Sequence, residues 1–235
     1  MLGIKSRAFQ LNLKANELKQ LENFTQAEEH VREAIRLDPA FAEAYSNLGT
    51  ILISLGKFQE AKESIRKAVE LRPYYRNAIW NLFLLSEDKE QASQHLEHCL
   101  SIKKNDIPAL MHLSAVKLHQ GDHTLYEQLL KKYTDKNPLF ESLEWILTLP
   151  EIPDLFFHRE FFYDEIVKRS ITSRPFYEFG VYEGGSFKYL VKSFKQGFGF
   201  DNFTGLPESW NQFNKGDFSA KGKIPNIQGG TFISG

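Results

Sequence analysis

Apolar residues between Ala42 and Pro73 recur at spacings of three, four and seven, with polar residues between them. They form one set on each side of Gly56: Tyr45, Leu48, Gly49 and Leu52, then Ala61, Ile65 and Ala68. Such spacing places each set on one face of a helix, so the pattern predicts two short amphipathic helices joined by a tight turn. The small residues Gly49 and Ala61 would let the two backbones approach closely. One helical hairpin cannot bury both of its apolar faces, so it needs copies of itself.

The same pattern occurs 34 residues earlier, where Ala15, Ala27, Ala34 and Pro39 correspond to Gly49, Ala61, Ala68 and Pro73. In period and in its small, aromatic and proline positions the chain resembles the tetratricopeptide repeat (TPR) family. The resemblance implies an α-helical solenoid over residues 8–140, with repeats at 8–41, 42–75, 76–106 and 107–140. The third repeat has a shortened turn. An ordinary helical bundle is the alternative, which the shared register of two consecutive units disfavours.

Stacked repeats of this kind form a concave surface, for which we expect a protein or peptide partner. Asn47 and Asn81 occupy equivalent first-helix positions. In TPR proteins with such asparagine ladders, the amides bind the backbone of an extended peptide. A helix cap or a hydrogen bond between repeats is the alternative role. Ser46 and Thr50 do not match the TPR subtype that binds a C-terminal carboxylate through basic side chains.

Beyond the repeats, residues 141–173 are predicted to form a helical linker, interrupted at Pro150 and Pro153, after which the pattern predicts a helix from Phe156 to Arg169. After Arg174 the periodicity changes. A strand at 176–181, a glycine turn, a helix at 187–194 and a strand at 197–200 make a βαβ unit, which starts a parallel sheet. The start of a third strand is predicted at 231–234.

The turn of this unit carries the residues that could perform chemistry. Its glycines, Gly180, Gly184 and Gly185, allow a close backbone approach, and the following helix directs free N–H groups towards a ligand. Asp201 ends the next strand, where a carboxylate can accept hydrogen bonds from a ribose diol. Together these features predict a pocket for an adenosine-type nucleotide.

This part resembles the class I S-adenosylmethionine (SAM) dependent methyltransferases, whose first motif is matched by Glu178, Gly180 and Gly184. The run FDNFTGLPESW is similar to the macrocin O-methyltransferases. The resemblance implies an incomplete, Rossmann-like domain at 174–235, with SAM bound by Glu178, Gly180, Tyr182, Gly184, Gly185, Ser186 and Asp201. It also implies O-methyl transfer to a hydroxyl of a sugar or small molecule in a full-length protein. Later strands of the family are missing, so we expect weak or no SAM binding and no turnover by this chain, and no catalytic residue is assigned.

Three alternatives stay open for residues 174–235. A dinucleotide dehydrogenase would use the same unit, but its G-x-G-x-x-G fingerprint has glycine where this chain has Tyr182. That side chain would obstruct a pyrophosphate, which favours SAM. The turn could bind no ligand at all. The whole protein could also be a non-catalytic TPR binding module with a vestigial C-terminal part.

Composition and charge limit the classes of partner, the kinds of cysteine site and the cellular location that we expect. A net charge of −1 gives no reason to expect nucleic acid or an anionic membrane. The single cysteine, Cys99, excludes an intramolecular disulfide and a cysteine-based metal site. It is predicted to be a buried structural thiol. The N-terminal stretch lacks the apolar core of a signal peptide, and no apolar run could span a membrane, so a cytoplasmic location is expected.

Overall fold

The computed structural model describes residues 2–132, 138–210 and 213–235. These residues form helices and strands in the order α1 (Leu2–Gln20), α2 (Phe24–Leu37), α3 (Ala42–Ser54), α4 (Phe58–Leu71), α5 (Arg76–Leu84), α6 (Lys89–Ile102), α7 (Ile107–His119), α8 (Thr124–Lys132), α9 (Pro138–Leu147), α10 (Arg159–Arg169), β1 (Phe176–Phe179), α11 (Gly185–Phe194), β2 (Gly197–Asp201) and β3 (Gly230–Ser234). Contacts divide the chain into two units, the first ending at Phe157 and the second beginning at His158.

The first unit is a helical solenoid, as the resemblance implies. Helices pair in sequence order, α1 with α2, α3 with α4, α5 with α6 and α7 with α8, and each pair packs on the next. First helices of neighbouring repeats also touch, α1 with α3 and α3 with α5. The small predicted positions are fully buried between the helices: Ala15, Ala27, Ala34, Ala61 and Ala68. Residues 133–137 of the predicted fourth repeat lie outside the described residues.

Three of the helix pairs use the same turn. The residue in the middle of the turn has positive φ, at Gly56 (73°), Gly121 (85°) and Glu22 (57°). The following N–H donates to a carbonyl five residues earlier, as in the bond of 2.8 Å from Lys57 N to Leu52 O. This left-handed residue closes the helix end. Glu22 is the exception chemically, because a side chain at positive φ costs energy that glycine avoids.

Helix α10 begins later than the sequence pattern suggests. The aromatic-rich pattern predicts a helix from Phe156 to Arg169, whereas the helix begins at Arg159 with His158 as its N-cap. Residues 152–156 have no regular structure, and Leu155 and Phe157 pack on the core of the third and fourth repeats. Helix α10 therefore belongs to the second unit, within the stretch predicted as a linker. The domain bounds themselves stay a prediction.

The second unit contains a three-stranded parallel sheet in the order β1-β2-β3. One face is covered by α11, whose Phe187 ring lies 4.7 Å from the ring centroids of both Phe176 and Phe232. Gly197 leaves room for this packing, since a Cβ there would lie 2.4 Å from the Phe176 ring. The helical solenoid and the small parallel sheet are thus present. Assignment of the sheet to a Rossmann-like methyltransferase stays a prediction.

Candidate functional sites

The first helices of the repeats carry a row of contacts between neighbouring units. The Asn47 side-chain amide donates to Oδ1 of Asn12 at 2.8 Å, and Asn12 is buried. The Trp80 ring packs edge-on against His112 at a centroid distance of 5.4 Å. Each contact joins the first helices of two successive repeats. An amide pair makes this contact between the first and second repeats, and an aromatic pair makes it between the third and fourth repeats.

The two predicted peptide-binding asparagines therefore differ in their surroundings. Asn47 makes the hydrogen bond between repeats that was the alternative role for it. Asn81 is half-buried, and no protein group among the described residues forms a hydrogen bond with its side chain. Its amide is thus free to offer both a donor and an acceptor to a ligand. This geometry does not test peptide binding by Asn47 or Asn81, which stays a prediction.

The N-terminal end of the same row is more exposed and apolar. Phe9 and Leu13 on α1 are 50% and 40% exposed. Lys19 lies further along the same helix, and its ammonium group donates to the Thr50 hydroxyl at 3.4 Å. Burial lowers the pKa of Lys19. Helix α1 therefore carries two exposed apolar side chains and, separately, one cation that is partly removed from water.

Cys99 lies deep in the repeat core. It is fully buried, and burial raises the pKa of its thiol to about 11. A thiol with that pKa is protonated at neutral pH and a poor nucleophile. The structural role predicted from its helical position fits this environment.

In the second unit, the residues of the glycine turn come together between β1 and α11. Gly180 and Gly184 have φ of 84° and 77°, and Gly184 is the N-cap of α11. Tyr182 also has positive φ, at 53°, and is 42% exposed. Gly180 and Gly185 border open space, since a Cβ at either would meet no atom within 4 Å. The backbone is therefore accessible at two of the predicted glycines.

Asp201 is held at the end of β2 by two backbone N–H groups. Its Oδ2 accepts from Tyr182 N at 2.7 Å and its Oδ1 accepts from Phe203 N at 2.8 Å. A carboxylate has about four acceptor sites, so each oxygen keeps capacity for another donor such as a hydroxyl. The first of these bonds links the glycine turn to the neighbouring strand.

Glu178 and Ser186 form a second pair across the turn. The Ser186 hydroxyl donates to Glu178 Oε1 at 2.7 Å. Burial raises the pKa of Glu178, while the bond from Ser186 acts in the opposite direction. Its other oxygen, Oε2, is buried and accepts no hydrogen bond within the described chain. That oxygen is the uncompensated acceptor of the site.

A loop that the sequence did not predict covers one side of the turn. A Cβ on Gly184 would lie 2.8 Å from Ile227 Cδ1 and 3.5 Å from Pro225. A cavity of about 210 Å³ lies beside it, lined by Glu183, Lys188, Ala220, Lys223, Ile224, Pro225 and Asn226. Pockets for small-molecule ligands usually measure about 300–1,000 Å³. The cavity is smaller than that and does not include Gly180 or Asp201.

Two further features of the described residues concern ions and membranes. They contain no group of three or more His, Cys, Asp or Glu side chains placed to hold a metal ion. None of their helices has both the length and the apolar character needed to cross a bilayer.

Comparison with known proteins identifies the repeats. A family model described as tetratricopeptide repeat matches residues 12–76. Together with the paired helices of the solenoid, this match shows that the chain contains TPR repeats. A search of curated proteins gave no match.

Several solved structures are similar to the chain at low identity. The first TPR of Spaghetti (RPAP3), bound to the HSP90 peptide SRMEEVD, is 20% identical with a TM-score of 0.47, over 50% of this chain and 96% of that one. The Arabidopsis OM64 TPR domain is 20% identical with a TM-score of 0.47, over 49% and 98%. MamA is 20% identical with a TM-score of 0.48, over 58% and 76%.

Proposed function

We propose that the TPR repeats bind an extended segment of a partner protein along the row of first helices. The observation that carries the proposal is the unpaired amide of Asn81, set between the Asn12–Asn47 pair and the Trp80–His112 pair. A peptide backbone presents alternating N–H and C=O groups, which one side-chain amide can satisfy together. The exposed side chains at the α1 end would add apolar contacts.

The test is affinity selection of a random-peptide library on the whole chain, followed by variants. Loss of a hydrogen bond to an uncharged group costs about 0.5–1.5 kcal/mol, so Asn81→Ala should weaken selected peptides roughly threefold to tenfold. Gln94→Ala is the matched control, because Gln94 is an exposed amide on the second helix α6. Asn47→Ala should lower stability more than affinity. Selected peptides that bind equally to the Asn81→Ala chain would contradict the proposal.

A second proposal is that the glycine turn is the nucleoside-binding start of a SAM-dependent O-methyltransferase. Its support is the pairing of Tyr182 N–H with Asp201 across adjacent parallel strands, together with open space at Gly180 and Gly185. The strand order β1-β2-β3 is that of the first half of a doubly wound sheet. Glu178 Oε2 would accept a hydrogen bond from the ligand.

We expect the affinity for SAM to be weak, since the neighbouring cavity is small and the loop at 225–227 packs on Gly184. Calorimetric titration should therefore give no low-micromolar binding. Millimolar SAM should shift the NMR signals of the turn amides, and Gly185→Leu should abolish those shifts. A Cβ at Gly185 would meet no atom within 4 Å, and the rest of the leucine side chain would extend into the space that the ligand needs. Equal shifts with NAD would favour a dinucleotide site, and no shift with SAM would contradict the proposal.

A further inference from the structure

The third repeat has a large ring at a position where the second repeat has none. Phe83 lies 34 residues after Gly49 and is 1% exposed. Its ring contacts Trp80 at 5.1 Å and His112 at 5.2 Å between centroids. The three side chains, called here the aromatic pocket, join the first helices of the third and fourth repeats. Phe83 belongs to the same buried cluster as Leu96 and Leu113, and a further cover comes from outside the helix pair.

The cover is supplied by the chain itself. The Phe157 ring lies 5.5 Å from the Phe83 ring, and Leu155 packs against the same core. Phe156, between them, is 36% exposed. Residues 152–156 form neither helix nor strand. Residues 155–157 are thus seated on the solenoid as a bound peptide would be, through two alternate anchors.

The sequence before these anchors favours an extended conformation. Pro153 fixes its own φ and disfavours helical geometry at Ile152. A segment that is already extended loses less conformational entropy on docking. It also connects the two units, because α9 ends at Leu147 and α10 begins at Arg159.

We propose that the aromatic pocket is an anchor site for extended partner segments carrying Leu-x-Phe, and that residues 155–157 of this chain occupy it in competition with such a partner. This inference rests on the proposed peptide-binding role of the repeats. It adds the kind of side chain the partner must carry and an intramolecular competitor. The partner chemistry follows from the occupant seen in the pocket, an aliphatic and an aromatic anchor separated by one residue.

The experiment uses the whole chain and a fluorescent peptide with the sequence of residues 150–158. An intramolecular competitor lowers the apparent affinity in proportion to the fraction of open sites. Phe157→Ala in the chain should therefore tighten binding of the peptide by about tenfold or more, measured by anisotropy. Ile152→Ala, which changes an exposed side chain of the same segment, is the matched control and should bind as the wild type does. A peptide with alanine at the Phe157 position should not bind the Phe157→Ala chain.

Equal affinity of the wild-type and Phe157→Ala chains, with the helical circular dichroism signal retained, would overturn the inference. If Phe157→Ala loses its helical signal, hydrogen exchange of the wild-type chain decides. Saturating peptide should then speed exchange of the amides of 154–157, and unchanged exchange would overturn the inference. Library peptides that depend on Asn81 would still support the proposed function after either failure, so the two failures are distinguishable.

Discussion

The two helices of the second repeat pack closely at Gly49, and replacing this glycine should destabilise the solenoid. A Cβ there would lie 2.2 Å from Cγ1 and 2.9 Å from Cδ1 of Ile65, a fully buried residue. In an open helix, Gly→Ala stabilises by about 1 kcal/mol. Forcing extra carbon into a packed core costs about 1–3 kcal/mol. We therefore expect Gly49→Ala to lower the free energy of unfolding by roughly 1 kcal/mol net.

The assay is urea unfolding followed by circular dichroism at 222 nm, with a check that the m-value is unchanged. Ser54→Ala on the exposed end of the same helix is the control and should change stability by only a few tenths of a kcal/mol. Ile65→Ala alone should cost about 2–5 kcal/mol. The double variant should be at least about 1 kcal/mol more stable than the sum of the two losses, since the new methyl group then enters vacated space.

Two results would refute this reasoning. The first is a gain of about 1 kcal/mol in Gly49→Ala, the value for a solvent-facing helix position. The second is strict additivity in the double variant, which would mean that residues 49 and 65 do not share the space between the helices.

Three further changes test other parts of the repeats. Glu22→Gly should raise the free energy of unfolding by up to about 1 kcal/mol in urea, since glycine removes the strain of φ 57°; no gain would contradict this. Asp106→Ala should cost about 3 kcal/mol, because the buried carboxylate caps α7 and accepts from Arg76 Nε at 2.6 Å; Asp106→Asn, which keeps the cap, should cost less. Burial, aided by Arg66, lowers the pKa of His95 to about 4. The unfolded chain then binds the proton more readily, so stability should fall as the pH drops from about 6.5 towards 4, and His95→Gln should reduce that slope.

Periodicity predicted the elements well wherever burial follows one face. The helices of the second repeat and the strand ending at Asp201 lie where the pattern places them. Periodicity misplaced the start of α10, because Phe156 and Phe157 continue a helical pattern in the sequence although they lie before the helix. It also missed Asn12, which is offset by one position from the 34-residue register and pairs with Asn47 through helix geometry.

The glycine turn was predictable for a different reason: its motif combines residue types with a backbone geometry that few other residues adopt. The described loop residues, 202–210 and 213–229, were not, since their packing depends on contacts distant in sequence. A Cβ on Gly205 would lie 2.4 Å from Gly216 O, and Gly184 faces Ile227. Hydrophobic pattern carries no signal for such backbone contacts. The packing of this loop over the glycine turn therefore could not be predicted from the sequence.

The two faces of the sheet in the second unit are buried to different extents. Gly197 and Gly199 make room on one face for the rings that pack under α11. On the other face, Phe179 stacks on Phe200 at 4.9 Å, yet Phe179 is 79% exposed. Parallel sheets are normally covered on both faces. The stacked ring pairs partly compensate for this exposure, because each ring contact is worth about 0.5–1.5 kcal/mol. Stability of this unit must therefore come mainly from the α11 face, which also positions the glycine turn, so loosening that packing should disturb the turn before it disturbs the exposed rings.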